Sequence, residues 1–131
     1  PVPVYLHEED RKAMASDDPQ VTYYFRRHYK FIADNTVEDG QQLDIGGMEF
    51  TVIHTPGHTA GSVCYLIGKL LFTGDTIFDG TVGRWDFPYG NKAVLKTSVD
   101  KLLKLDPDLM VYPGHENSIR LGDDLQIGNL L

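Results

Sequence analysis

Val52-Ile53-His54-Thr55-Pro56-Gly57-His58-Thr59-Ala60-Gly61-Ser62 is an alternating apolar strand that runs into a turn of small residues and there presents an imidazole. Two later segments repeat the form. Leu71-Phe72-Thr73-Gly74-Asp75-Thr76 ends in a carboxylate, and Met110-Val111-Tyr112-Pro113-Gly114-His115-Glu116 ends in a second imidazole. Gly57, Gly74 and Gly114 each immediately precede the polar residue, a position where close packing or unusual torsions exclude a Cβ. Side chains placed just beyond strand ends are fixed by a rigid sheet and brought together by the turns. Two imidazoles and one carboxylate suit zinc, and iron or manganese as well. Spacing alone leaves two readings open: three converging metal ligands, or turn residues that cap strand ends.

Outward from these segments the chain alternates short apolar strands with polar, helix-capable stretches. Met48, Phe50, Val52 and His54 alternate with Glu49, Thr51 and Ile53, the period of a strand. Gly46-Gly47 before it is a hairpin signal that pairs this strand with Gln42–Ile45. Ser62–Ile67 and Leu70–Thr73 are two further strands joined by Gly68-Lys69, and Leu109–Tyr112 is the last. Val2–Leu6 reads as a buried strand at the start of the chain, which points to a missing upstream portion. Glu8-Glu9-Asp10 places acid at a helix N-terminus, and Ser16-Asp17-Asp18-Pro19 is a second helix start that carries toward Ile32. Asn91 caps a third helix, with Leu95, Val99, Leu102 and Leu103 on one face. The stretch from Asp75 to Gly90 reads as a long irregular loop, unusual enough in a small domain to indicate function.

The 131 residues suffice for one domain of ordinary size. With 41% hydrophobic and 11% aromatic residues, a packed core is within reach. Nineteen acidic against twelve basic side chains give a formal charge of −7, which argues against nucleic acid as a partner. Arg26-Arg27-His28-Tyr29-Lys30 is too short to change that and reads as the wet face of a helix. One cysteine excludes an internal disulfide and any multi-thiolate metal site. No apolar run approaches the ~20 residues of a membrane span, and no signal-peptide pattern is present. The expected location is the cytoplasm.

Thr55–Ser62, Phe72–Thr76 and Tyr112–Glu116, in this order and at these separations, resemble the motifs of the metallo-β-lactamase fold hydrolases. Within that superfamily the chain is most similar to the glyoxalase II (hydroxyacylglutathione hydrolase) branch, of which Gly83-Arg84-Trp85-Asp86-Phe87 is also typical. The resemblance implies an α/β fold, a four-layer αββα sandwich with a dinuclear site at one edge of its sheets. It implies that His58 binds the first metal, Asp75 bridges the two and His115 binds the second. It further implies zinc as cofactor and hydrolysis of a small-molecule ester or thioester by a metal-bridging hydroxide.

One departure from the family pattern is large. The family's first motif, His-x-His-x-Asp-His, is absent, since no two of the five histidines are separated by one residue. Residues 1–131 therefore resemble a single partial domain, the C-terminal part of the sandwich without its N-terminal portion. Each metal would then have two protein ligands, where a catalytic zinc has about three. The expectation is a hydrolase fragment that is inactive as an isolated chain and that self-associates through an exposed sheet face and edge. Alternatives are a relative of the persulfide dioxygenases, a neighbouring branch that uses one iron, and a non-catalytic half-domain that pairs with another chain.

Around the three ligand candidates, His54 reads as a packed core histidine or as a group supporting the site. Arg84 either meets an anionic end of the substrate or braces the loop by pairing with Asp86. Glu116 is placed to orient His115, and Trp85 and Tyr89 either line a cleft or pin the loop. Cys64 reads as a small buried hydrophobe, and His7 and His28 as surface groups.

Overall fold

Gly46 and Gly47 adopt left-handed backbone, φ 62° and 81°, so β3 (Gln42–Ile45) turns directly into β4 (Met48–His54). The computed structural model describes residues 2–25, 32–124 and 126–131. Two more antiparallel strands follow, β5 (Val63–Ile67) and β6 (Leu70–Gly74), joined through Gly68 at φ 56°. After an excursion through α3 (Lys92–Leu102), β9 (Met110–Pro113) returns beside β6 and parallel to it, with Leu71 opposite Val111 and Phe72 opposite Tyr112. β10 (Ile119–Arg120) closes a six-stranded sheet of order β10-β9-β6-β5-β4-β3.

Period-two alternation gives this sheet two different faces. Ile53, Cys64, Leu71 and Val111 point to one side and pack with Leu95, Val99 and Leu102 of α3 into the main core. The helix begins where expected: Asn91 accepts the Val94 N–H on its side-chain oxygen at 3.0 Å. The opposite face is covered at the Val52–His54 end by β1 (Tyr5–His7), which pairs in parallel with β2 (Asn35–Val37). The His7 ring stacks on that of His54 at 3.9 Å. Beyond Tyr5 the face is open: Leu43, Ile45, Phe50, Tyr65 and Phe72 line a shallow apolar groove of about 250 Å³. Met48, Phe72 and Tyr112 remain exposed.

Three expectations need correction, the third being that for His7. The opening strand is shorter than Val2–Leu6 and is not buried: it spans Tyr5–His7, half-buried, with Val2 87% exposed. Among the described residues its one strand neighbour is three-residue β2, and Pro3 has no N–H to extend the ladder. The stretch from Asp75 to Gly90 is not wholly irregular, because β7 (Ile77–Phe78) and β8 (Thr81–Val82) form a small hairpin across Gly80 at φ 73°. α1 (Glu8–Ala15) and α2 (Pro19–Phe25) start at the expected signals; Asp18 accepts the Gln20 N–H at 2.8 Å, and this cap overrides the strand propensity of Val21–Phe25. The basic run 26–30, with His28, lies outside the described residues.

His7 is half-buried rather than a surface group, and its Nδ1 caps α1 by accepting the Glu9 N–H at 3.2 Å. Burial, and then the adjacent His54, hold its pKa below the ordinary imidazole value, against the pull of Asp10, Glu9 and Glu8. The unfolded chain, with an ordinary value near ~6.5, binds the proton first. Stability is therefore full above about pH 6.5 and falls as pH drops through the lower folded value. Denaturant midpoints measured from pH 7.5 to pH 5 should decline, and His7→Asn, which keeps a cap oxygen, should flatten that decline.

Candidate metal centre

Parallel pairing of β6 with β9 puts their C-terminal ends side by side, and the turns beyond them carry Asp75 and His115. The Gly114 N–H donates to the Gly74 carbonyl at 2.7 Å and ties these turns together. His58 arrives from the turn between β4 and β5, closed by Thr55 N–H to the Ser62 carbonyl at 2.9 Å. Gly57 in that turn sits at φ 139° against α3, where a Cβ would lie 2.3 Å from the Leu95 Cα. The Gly57 carbonyl accepts the Asn91 N–H at 2.8 Å and the Pro56 carbonyl accepts the Ser98 hydroxyl at 2.7 Å. The helix that fills the core thus also fixes the ligand-bearing turn.

The three candidate ligands come together. Asp75 stands between the imidazoles: Oδ2 is 3.5 Å from His58 Nε2, and Oδ1 is 3.5 Å from His115 Nε2. His58 is the most enclosed, at 17% side-chain exposure, and His115 the least, at 72%. The cleft that holds them, about 360 Å³, is walled by Phe78, Arg84 and Phe87. Among the described residues no three His, Cys, Asp or Glu side chains form a complete metal-binding group. The arrangement is two pairs that share one carboxylate.

The chemistry of these pairs fits a divalent metal. His58 Nδ1 lies 2.7 Å from the Arg84 carbonyl oxygen, which only accepts, so Nδ1 carries the proton. In the neutral ring Nε2 then presents a lone pair to a carboxylate oxygen, acceptor facing acceptor. The 3.5 Å gap exceeds a charge-assisted hydrogen bond of about 2.7–2.9 Å. It matches the distance between two donors to one tetrahedral ion with bonds of about 2.0–2.2 Å.

Glycines make room for the shared carboxylate. A Cβ on Gly114 would lie 2.4 Å from Asp75 Oδ1, and one on Gly83 would lie 1.7 Å from the Asp75 carbonyl oxygen. Gly83 carries no such signal in the sequence, because it precedes no ligand.

The other singled-out residues divide. His54 is part of the packing: it stacks on His7, and its Nε2 donates to the Ala60 carbonyl at 2.9 Å, which supports the turn bearing His58. Arg84 pairs side-on with Asp86 at 2.8 and 2.9 Å, and its backbone carbonyl meets His58. Glu116 has left-handed backbone, φ 67°, and is exposed; its carboxylate makes no hydrogen bond to His115 among the described residues. Trp85 lies under Lys92 Nζ at 5.5 Å. Cys64 is fully buried, its thiol pushed up to about 11 by burial.

Asp10 has a place here that its sequence position gave no reason to expect. Its carboxylate accepts the Thr59 hydroxyl and the Gly61 N–H, each at 2.9 Å, and so clamps the His58 turn to α1. Its partners lie 49 and 51 positions along the chain, and only Gly61, with no room for a Cβ against Asp10, marks the contact.

The family model of the metallo-beta-lactamase superfamily matches residues 1–115, and the chain belongs to that superfamily. Its fold is the mixed α/β fold of these proteins. The chain is 37% identical over 143 residues to an uncharacterised protein of Mycobacterium leprae, across 98% of this chain and 64% of that one. It is also 37% identical over 90 residues to the hydroxyacylglutathione hydrolase GloC of Haemophilus influenzae, across 66% of this chain and 42% of GloC. The crystal structure of BLEG-1, a B3 metallo-beta-lactamase, superposes with a TM-score of 0.84 at 31% identity, covering 99% of this chain and 65% of that chain. That of TTHA1623 in a di-iron-bound form gives 0.78 at 32% identity, again covering 99% and 65%. The chain thus spans less than two thirds of the length of these relatives.

Gly114→Ala should displace the Asp75 carboxylate and lower zinc affinity by about tenfold or more, with little change in melting temperature. Gly68→Ala, where a Cβ meets open space, should leave affinity unchanged. Competition titration with a chromogenic chelator reads both.

Proposed function

We propose that this chain is the His58, Asp75 and His115 portion of a metal-dependent hydrolase of small esters or thioesters. The observation that carries the reading is the single carboxylate facing two imidazoles at 3.5 Å on either side. His58, with Nδ1 satisfied by a carbonyl, offers Nε2 to one metal; Asp75 offers one oxygen to each; His115 offers Nε2 to the other. A divalent metal bound there would supply Lewis-acid polarisation of a carbonyl and hydroxide near neutral pH, with His58, Asp75 and His115 as the residues that would hold it. The residues of this chain orient it and, through Phe78 and Phe87, give the cleft an apolar wall.

Zinc is the favoured metal on this donor set, and iron or manganese fit it too. Two ligands per metal from this chain fall short of the usual three, so catalysis is assigned to the whole protein. The similarity to GloC supports a thioester as the substrate class.

Metal analysis after exhaustive dialysis, followed by assay of the intact zinc-loaded protein on an S-acyl glutathione and a nitrophenyl ester, tests this reading. Bound metal and turnover that falls at least about 100-fold in Asp75→Asn support it. Absence of metal and of turnover in the intact protein overturns it. Oxygen consumption with glutathione persulfide would replace hydrolysis by the iron-dependent reading.

A further inference from the structure

The loop between β8 and α3 supplies the carbonyl that fixes the His58 ring, and its backbone is held at its two ends. Gly83 N–H donates to the Thr76 carbonyl at 3.1 Å, Gly90 N–H to the Phe87 carbonyl at 2.8 Å, and Asn91 N–H to the Gly57 carbonyl at 2.8 Å. Arg84 lies between these anchors, and among the described residues it belongs to no strand ladder. Its side chain does what a ladder would do elsewhere. The guanidinium pairs through Nε and Nη2 with both oxygens of Asp86, at 2.8 and 2.9 Å, and its Cζ lies 3.9 Å over the Phe87 ring. That ring meets His58 edge-on at 5.8 Å and Tyr24 of α2 at 5.0 Å.

We infer that Asp86 and the Arg84 side chain are positioning residues: paired and stacked over Phe87, they hold the Arg84 carbonyl on His58 Nδ1 and so select the tautomer whose bare Nε2 faces Asp75. A bidentate, planar contact is what fixes a guanidinium in one orientation, and lysine does not reproduce it. The carbonyl, in turn, decides which ring nitrogen carries the proton. On this account the Nε/Nη2 edge of Arg84 and the face over Phe87 serve its own loop. The inference rests on the metal-centre reading for its consequence, and on the loop geometry for its cause.

The test uses the intact, metal-free protein labelled with ¹⁵N-histidine, with the His58 ring assigned by difference from His58→Gln. Long-range proton–nitrogen correlation should show the Nδ1–H form of His58 as the dominant neutral tautomer. In Asp86→Asn and in Arg84→Lys the Nε2–H form should rise to a comparable share, and zinc affinity should drop about tenfold. Asp86→Glu, which restores the carboxylate, should recover part of the wild-type spectrum. Asp106→Asn, which breaks the exposed Lys69–Asp106 pair elsewhere on the surface, should change neither readout. Unchanged His58 tautomers in both loop variants overturn the inference even where zinc binding and hydrolysis are intact. A tautomer shift in a protein that binds no metal supports the inference while the metal-centre reading alone fails.

Discussion

The arrangement turns on one carboxylate. Asp75 must present one oxygen to His58 and the other to His115, and each neighbouring element is shaped by that demand. β6 and β9 have to run parallel and adjacent so that their ends place Asp75 beside His115. Gly114 has to lack a side chain because the carboxylate occupies that volume, and Gly83 because the Asp75 carbonyl does. With Nδ1 of a neutral His58 donating to the Arg84 carbonyl, the bare Nε2 facing Asp75 Oδ2 is unfavourable without a positive charge between them. The proposed cation site rests on this arrangement, and the described residues by themselves complete no coordination sphere.

Support for the His58 side of this pair is layered, and every layer reaches the same turn. α3 presses on Gly57 and receives its carbonyl through Asn91. α1 clamps Thr59 and Gly61 through Asp10. His54 holds the Ala60 carbonyl and is itself stacked on His7, which in turn caps α1. The helices that bury the core and the loops that carry chemistry are thus mechanically one system. His115, by contrast, is exposed and lightly held. The two halves of the site differ in how they are braced, the His58 turn being tied to both α1 and α3.

The open face of the six-stranded sheet belongs to the same account. Phe50, Tyr65 and Phe72 lie on the side away from α3, where β1 and β2 reach only the Val52–His54 end. Relatives are half as long again, and this chain aligns with 64% to 65% of those matched nearly end to end.

Much of this was legible in the sequence because it depends on local chemistry. Gly46-Gly47 dictates a tight hairpin, Asn91 a helix start, and the alternation of Met48 to His54 a strand with two unlike faces. The three glycine-preceded turns, each at a strand end, pointed to His58, Asp75 and His115 as side chains that could converge, and the fold places them side by side. What the sequence could not carry was contact across distance and the choice between roles that share a residue type. Asp10 looks like an acid that favours a helix dipole until a turn some 50 positions away is brought to it. Arg84 looks equally like a substrate anchor and a brace, and only the fold brings Asp86 to its edge and Phe87 beneath it as a brace requires. Gly83 matters only because the Asp75 carbonyl approaches it, and Val2–Leu6 looks buried only on the assumption of a neighbour that three-residue β2 does not supply. Residue type and spacing determined which groups could act here, whereas packing decided which of them face one another, since proximity between distant segments is a property of the folded chain alone.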